Sequence, residues 1–389
     1  MPAKSWILTD TVNGIYQETF DKIAQLVNPH VKKKFPVRMT KRKLHGGLSE
    51  GIEEIVLDNG VLSLSVLPTR GMGIHHGTCG DVELKWNSPI CGPVHPSFVP
   101  LTDSGGLGWL EGFDEWLVRC GLESNGSPEW DQTGKLLYPL HGRIANLPAK
   151  YVSLSIDERT GKMTLTGKVA EAKLFFKNLE LTSELVTFAG SPEFTIRDTI
   201  TNLSGEPGEF QLLYHINTGQ PFASPGGHVV VPYHRMAPRS PAAIKNLSEW
   251  DKLCPETSGS EEVIFFFEPA YNKSGQCKTM LVNSKGNRAL TLAFGKEFPY
   301  FSFWKSRLAD ADGYVCGLEP AINLPNNKSF EKKHGRVGTL KPGESRTFEL
   351  SFGILHDAAS IEKTEQEIRS ISAKEKTESK AVKEWTPGT

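Results

Sequence analysis

Neither sign of charge prevails in this chain: 44 lysines and arginines stand against 45 acids over 389 residues, a formal charge of -1. No global field therefore recruits nucleic acid or an anionic membrane, and a small, weakly charged or neutral ligand suits the balance better. The six cysteines form no CxxC pair and no regular spacing, so neither a zinc ribbon nor a disulfide scaffold is expected. No stretch approaches the roughly 20 apolar residues of a membrane span. The start, Met1-Pro2-Ala3-Lys4-Ser5-Trp6, lacks the basic-then-apolar pattern of a signal peptide, and the expected location is the cytoplasm. Also missing is any βαβ rhythm, which argues against a parallel sheet.

What the chain has is aromatic material, 20 Phe and 8 Trp, and short strand-like runs broken by turns. Asn59-Gly60 separates two such runs, Ile52 to Leu57 and Val61 to Leu67, the strongest short-range hairpin signal; a type I′ turn is expected. Between residues 151 and 217 turn signals recur at intervals of roughly 8 to 12 residues, with a short strand expected at Leu174 to Phe176. Further strands are expected through residue 353. The reading is an all-β antiparallel sandwich spanning 51–357. Residues 6–27 mix apolar and polar positions at helical spacing, so 1–50 are expected to form a helix and loop cap. Residues 358–389 are expected to give a charged helix, through Ile361, Ile368 and Ile371, and then a disordered end. The irregular, Gly- and Pro-rich stretch 87–140 is long enough to suggest a functional role.

Three side chains stand in contexts suited to proton transfer. Glu319 lies between Leu318 and Pro320, and because proline restrains its predecessor to extended conformations, Glu319 is expected to end a strand. A strand-end glutamate capping a loop would look similar. By alternation His215 shares a strand face with Leu213 and Asn217, while Tyr214 and Ile216 take the other; a core histidine bonded to a carbonyl is the bland alternative. His141 stands before Gly142-Arg143 on an irregular segment where a ligand can approach. Arg70, followed by Gly71, offers donors for hydroxyl oxygens or else a loop salt bridge. Trp304 is a candidate stacking platform, with core burial as its default. His75, His76, Cys79 and His95 do not compose a metal site, since adjacent strand residues face opposite ways.

These motifs, Pro68-Thr69-Arg70-Gly71-Met72, Arg119-Cys120-Gly121-Leu122, Leu140-His141-Gly142-Arg143, Tyr214-His215-Ile216-Asn217 and Gly317-Leu318-Glu319-Pro320, occur in an order that resembles the DUF4432 family of the galactose mutarotase-like (aldose 1-epimerase) superfamily. The resemblance runs from about Gly51 to Leu355. It implies a β-supersandwich and an isomerase of the aldose 1-epimerase type, with no cofactor and a small-molecule carbohydrate as partner. Under it Glu319 and His215 would be catalytic and His141 and Arg70 would hold the sugar; Asn217, Arg143 and Trp304 are further candidates for binding substrate. The chain departs from well-studied mutarotases in the 88–140 segment and in the order Tyr214-His215-Ile216-Asn217. An isomerase, epimerase or lyase acting on a keto-sugar or sugar acid, or a non-catalytic sugar-binding protein, remain alternatives at this point.

Overall fold

Alternation of apolar and polar residues, with a turn after each run, makes strand after strand pair with its neighbour, and the computed structural model describes this for residues 3–371 and 375–388. Among these residues the chain forms two large sheets and a few short helices. A ten-stranded sheet includes Ala149–Asp157, Lys162–Lys173, Lys177–Phe188, Glu193–Asn202 and Ser345–Leu355. A fourteen-stranded sheet runs centrally through Val263–Pro269, Tyr300–Ser306, Val315–Ala321, Gly208–Thr218, Leu117–Leu122 and Gly73–Cys79. Nearly all pairings are antiparallel, and the main core lies between the sheets. The expected all-β supersandwich is what the chain adopts.

Which face of the larger sheet meets that core is set by alternation. Leu212, Tyr214 and Ile216 of the strand Gly208–Thr218 pack into the inter-sheet cluster. Leu213 joins a separate cluster on the opposite face with Trp109, Phe113, Val118 and Cys120. His215 and Asn217 therefore stand on the outer face, under the 87–140 segment rather than between the sheets.

Four local expectations change. The N-terminal segment is strand, not a helical cap: Lys4–Asp10 pairs with Ala149–Asp157 in one sheet, while Phe20–Asn28 and Lys33–Lys43 extend the other. Phe20–Asn28 turns Leu26 inward and leaves Ile23 exposed, a period of two hidden inside an apparent helical stripe. The Asn59-Gly60 hairpin forms, but only Gly60 has positive φ (91°), with Asn59 N–H bonded to Leu62 O at 2.9 Å. Glycine thus takes the first central position, as in a II′ rather than an I′ turn. Leu174, Phe175 and Phe176 are not a strand but the exposed tip of the hairpin joining Lys162–Lys173 to Lys177–Phe188. The helix Ala358–Arg369 forms as expected, capped by Asp357 accepting from Ser360 N–H at 2.8 Å. The tail beyond it is packed rather than loose. Lys376–Thr377 pairs with Arg235 and Met236, and Val382 and Trp385 are buried, because the sheet edge offers unpaired backbone and its outer face offers apolar surface. Residues 372–374 and 389 of the expected disordered end lie outside the described residues.

Candidate active site

Strand register assembles the site. Glu319 lies across from Ser302, and Ser302 across from Phe266, which pairs with Ala237. On Glu319's other side, the pairing of Leu318 with Ile216 and of Ala321 with Leu213 sets His215 opposite. One residue pair along, Asn217, Gly317, Trp304 and Ile264 form a parallel row. All of these project from one face.

Glu319 was expected to end its strand; instead Val315–Ala321 continues through Pro320. A proline in a central strand needs a gap in the ladder, since it has no N–H to donate. The gap is present: the pairing between these strands lapses at residues 214–215 and 319–320. It falls where Glu319 meets His215.

The carboxyl and the imidazole touch. Glu319 Oε1 is 3.3 Å from His215 Nε2, and the two residues are only 4% and 6% exposed. His215 Nδ1 is bonded to Asn217 Oδ1, and Asn217 Nδ2 donates to Glu115 O at 2.9 Å. The second contact fixes the amide orientation, so Asn217 presents its oxygen to the imidazole and Nδ1 must carry the proton. Nε2 is then a lone pair facing Glu319. Burial pushes the Glu319 carboxyl from an ordinary 4.5 up to about 8, aided by the Glu262 charge and opposed by Arg239. Burial, reinforced by His141, pushes His215 down to about 3. Near neutral pH the pair thus holds a single proton, on Glu319 and aimed at Nε2.

Gly317 makes this contact possible. A Cβ there would stand 2.8 Å from Glu319 Oε1 and 3.1 Å from both His215 Cε1 and Trp304 Cε3. Three side chains converge over the missing methyl.

His141 completes the group, its ring centroid 5.6 Å from that of His215. Its Nδ1–H donates to Asn125 O at 2.9 Å and burial lowers it to about 4, leaving a neutral ring with a free Nε2. It occupies the left-handed region, φ 56°, a strained state for a non-glycine residue. The strain is imposed by a tight crossing in which Gly121 N–H bonds His141 O at 3.0 Å and a Cβ on Gly142 would lie 2.5 Å from Gly121 O. Those contacts explain two of the motifs.

Trp304 stands at the mouth, 5.2 Å from His215 and 6.2 Å from Phe113 between ring centroids. Its Nε1–H donates to Glu262 Oε2 at 3.0 Å, and Arg239 holds the other oxygen of Glu262 at 3.3 Å. Phe113 and Trp109 line the side formed by the 87–140 segment, with Trp109 4.6 Å from His141.

The structure thus brings together Glu319, His215, His141, Asn217 and Trp304 of the residues singled out in the sequence. It does not bring Arg70 or Arg143. Arg70 is 1% exposed, its guanidinium bonded to Glu115 Oε1 at 2.7 Å, Gly112 O at 2.6 Å and Asn146 Oδ1. It braces Glu115, whose carbonyl orients Asn217, and so reaches His215 only through other residues. Arg143 is exposed and lines another hollow with Tyr138 and Glu171. Arg239 and Glu262 were missed, although Pro238-Arg239-Ser240-Pro241 at a strand end offered a signal for the first; Gly317 stood in a motif already singled out, but its part in the contact was not foreseen. Among the described residues no group of three or more His, Cys, Asp or Glu side chains is placed to hold a metal. Among them, too, no helix is long and apolar enough to cross a membrane.

Residues 49–354 match the family described as a domain of unknown function, DUF4432, and the chain belongs to that family. The solved structure of a Klebsiella pneumoniae protein described as a "putative aldose 1-epimerase" superposes with a TM-score of 0.93 at 30% identity, covering 98% of this chain and 99% of that one. A galactose mutarotase-like protein from Clostridium acetobutylicum superposes at 0.55 with 14% identity, over 80% and 97% of the two chains, a likeness of fold alone. No curated protein matches this chain.

Proposed function

We propose that this protein is an aldose 1-epimerase-like isomerase that interconverts the anomers of a free sugar. The observation that carries the reading is the buried Glu319–His215 contact, with Oε1 3.3 Å from Nε2. Moving the Glu319 proton to Nε2 yields a carboxylate and an imidazolium without exchange with solvent. The carboxylate then takes the proton of the anomeric hydroxyl while the imidazolium protonates the ring oxygen; the bond from the anomeric carbon to that oxygen breaks and the carbonyl forms. After rotation of the aldehyde, the reverse transfers close the ring in the other configuration and restore the pair. His141, a neutral acceptor at Nε2, receives a sugar hydroxyl, and Trp304 and Phe113 offer apolar walls to the ring. Asn217 keeps Nε2 directed at the reaction, and Arg70 and Glu115 support Asn217.

Glu319→Gln tests this. Anomer exchange, followed by polarimetry or NMR saturation transfer across a panel of free aldoses, is expected to fall by about 10² to 10⁴ while sugar binding persists. Unchanged exchange in that variant removes the proposal. Solvent deuterium on a carbon of the product would instead assign Glu319 to a carbon-bound proton, the chemistry of a keto-sugar or sugar-acid isomerase.

A further inference from the structure

The end of the chain returns to the active-site face. After Lys376–Thr377 pairs along the sheet edge, Glu378 N–H bonds Met236 O at 2.8 Å and its carboxylate takes Arg235 Nε at 2.8 Å. The chain then crosses onto the outer face. There Trp385, 3% exposed, and Val382 pack on Ala237, Ile264, Phe266 and Leu324, the cluster against which Trp304 and Tyr300 rest.

This placement is built rather than incidental. Asn326 Nδ2 donates to Trp385 O at 2.9 Å, and Arg336 donates to Glu384 O at 2.7 Å. The two donors are themselves held by one buried carboxylate, Glu331, at 2.7 Å from Asn326 and 2.6 Å from Arg336 Nε. The Arg235 guanidinium covers the indole at 4.9 Å. Two backbone carbonyls and one ring are therefore fixed by four side chains.

Register gives the distance to the chemistry. Phe266, under the Trp385 cluster, lies two strands from Glu319 in the same cross-strand row, about 10 Å at the usual strand spacing. Across the site stand Trp109, Phe113 and His141. Trp304 packs against the same cluster as Trp385 and lies 5.2 Å from the His215 ring, so the tail's cluster adjoins the site.

We infer that the C-terminal tail, through Trp385, is the specificity wall of the site, restricting it to a single monosaccharide and excluding reducing sugars that carry a second residue. The inference rests on the sugar-binding reading above. It is tested in the full-length chain with Trp385→Ala and Trp385→Phe, using free glucose and galactose against maltose, lactose and melibiose. Wild type is expected to exchange the anomers of a hexose at least about tenfold faster than those of any disaccharide, a discrimination within reach of pocket shape. Trp385→Ala is expected to raise the disaccharide-to-hexose ratio of kcat/KM about tenfold or more, and Trp385→Phe to keep the wild-type ratio. Should the alanine variant not fold, Trp385→Val, which retains apolar cover without the ring's bulk, carries the same comparison. An unchanged ratio in a folded variant, or wild-type turnover of disaccharides as fast as hexoses, overturns the wall while leaving the site's chemistry intact. If wild type turns over no hexose and saturation-transfer difference NMR detects none bound, the sugar reading itself fails and the wall with it.

Discussion

The strand Gly208–Thr218 carries a buried ionisable group on each face, and the two have opposite surroundings. On the inter-sheet side Tyr214 OH donates to Asp198 at 2.6 Å, and Asp198 is the counter-ion of Arg119, whose remaining donors reach Met72 O at 2.6 Å and Ser183 Oγ at 2.8 Å. Every partner is supplied from within. On the outer side, Ser302 Oγ, directly across from Glu319, and Trp109 Nε1, beside His141, are buried with no hydrogen-bond partner. Buried polar atoms left unmatched are costly, and they persist where something else is meant to meet them. The Tyr214–Asp198–Arg119 group is closed on itself, whereas the Glu319–His215 pair has unmatched polar atoms as its neighbours.

The contrast can be broken first through stability. Asp198→Asn leaves the Arg119 guanidinium buried without its counter-charge and is expected to cost about 3–5 kcal/mol in denaturant unfolding, whereas Glu319→Gln, removing a carboxyl already neutral in the fold, should cost far less. Equal losses from the two substitutions would erase the distinction between the faces.

Proton accounting gives the next largest effect. In the proposed mechanism the outer pair works with one proton: it gains a second as pH falls through about 3 and loses its last as pH rises through about 8. Anomer exchange should therefore fall about tenfold per pH unit on the alkaline side, with apparent values belonging to the pair. Stability follows the same proton. The folded pKa of Glu319 is raised, so the contribution of its neutral acid is full below about 4.5 and is lost as pH rises through about 8. Glu319→Gln should flatten the decline in melting temperature between about pH 4.5 and 8, and an unaltered decline would contradict a protonated Glu319.

The smallest change sharpens the comparison. Asn217→Ala frees the His215 tautomer while leaving the carboxyl and imidazole in place. It is expected to reduce kcat about tenfold, one hydrogen bond's worth, and to move the pH profile more than KM. A purely structural Asn217 would lower stability and leave the profile where it was.

Much of this was legible along the chain because its signals are local. Period-two alternation and regular turns announced the sandwich, and alternation about His215 sorted its neighbours onto the correct faces. Signals that depend on partners were misread. Apolar spacing in residues 6–27 fitted a helix as well as a strand, and only pairing with distant segments decided between them. Arg70 has the surroundings of a ligand-binding arginine in sequence, yet Glu115, Gly112 and Asn146 close around it. The charged tail looked too polar to fold, but two apolar residues and two carbonyls were enough once the sheet supplied a surface.

The sequence by itself determined the class of fold and the residue types able to move protons, because alternation, turn chemistry and side-chain acidity are properties of short stretches. Only the tertiary structure decided which carboxyl is neutral, which nitrogen of His215 is bare, and which arginine is a brace. Those properties arise from burial and from contacts between residues about a hundred positions apart, where desolvation and a fixed hydrogen-bond partner together set the proton.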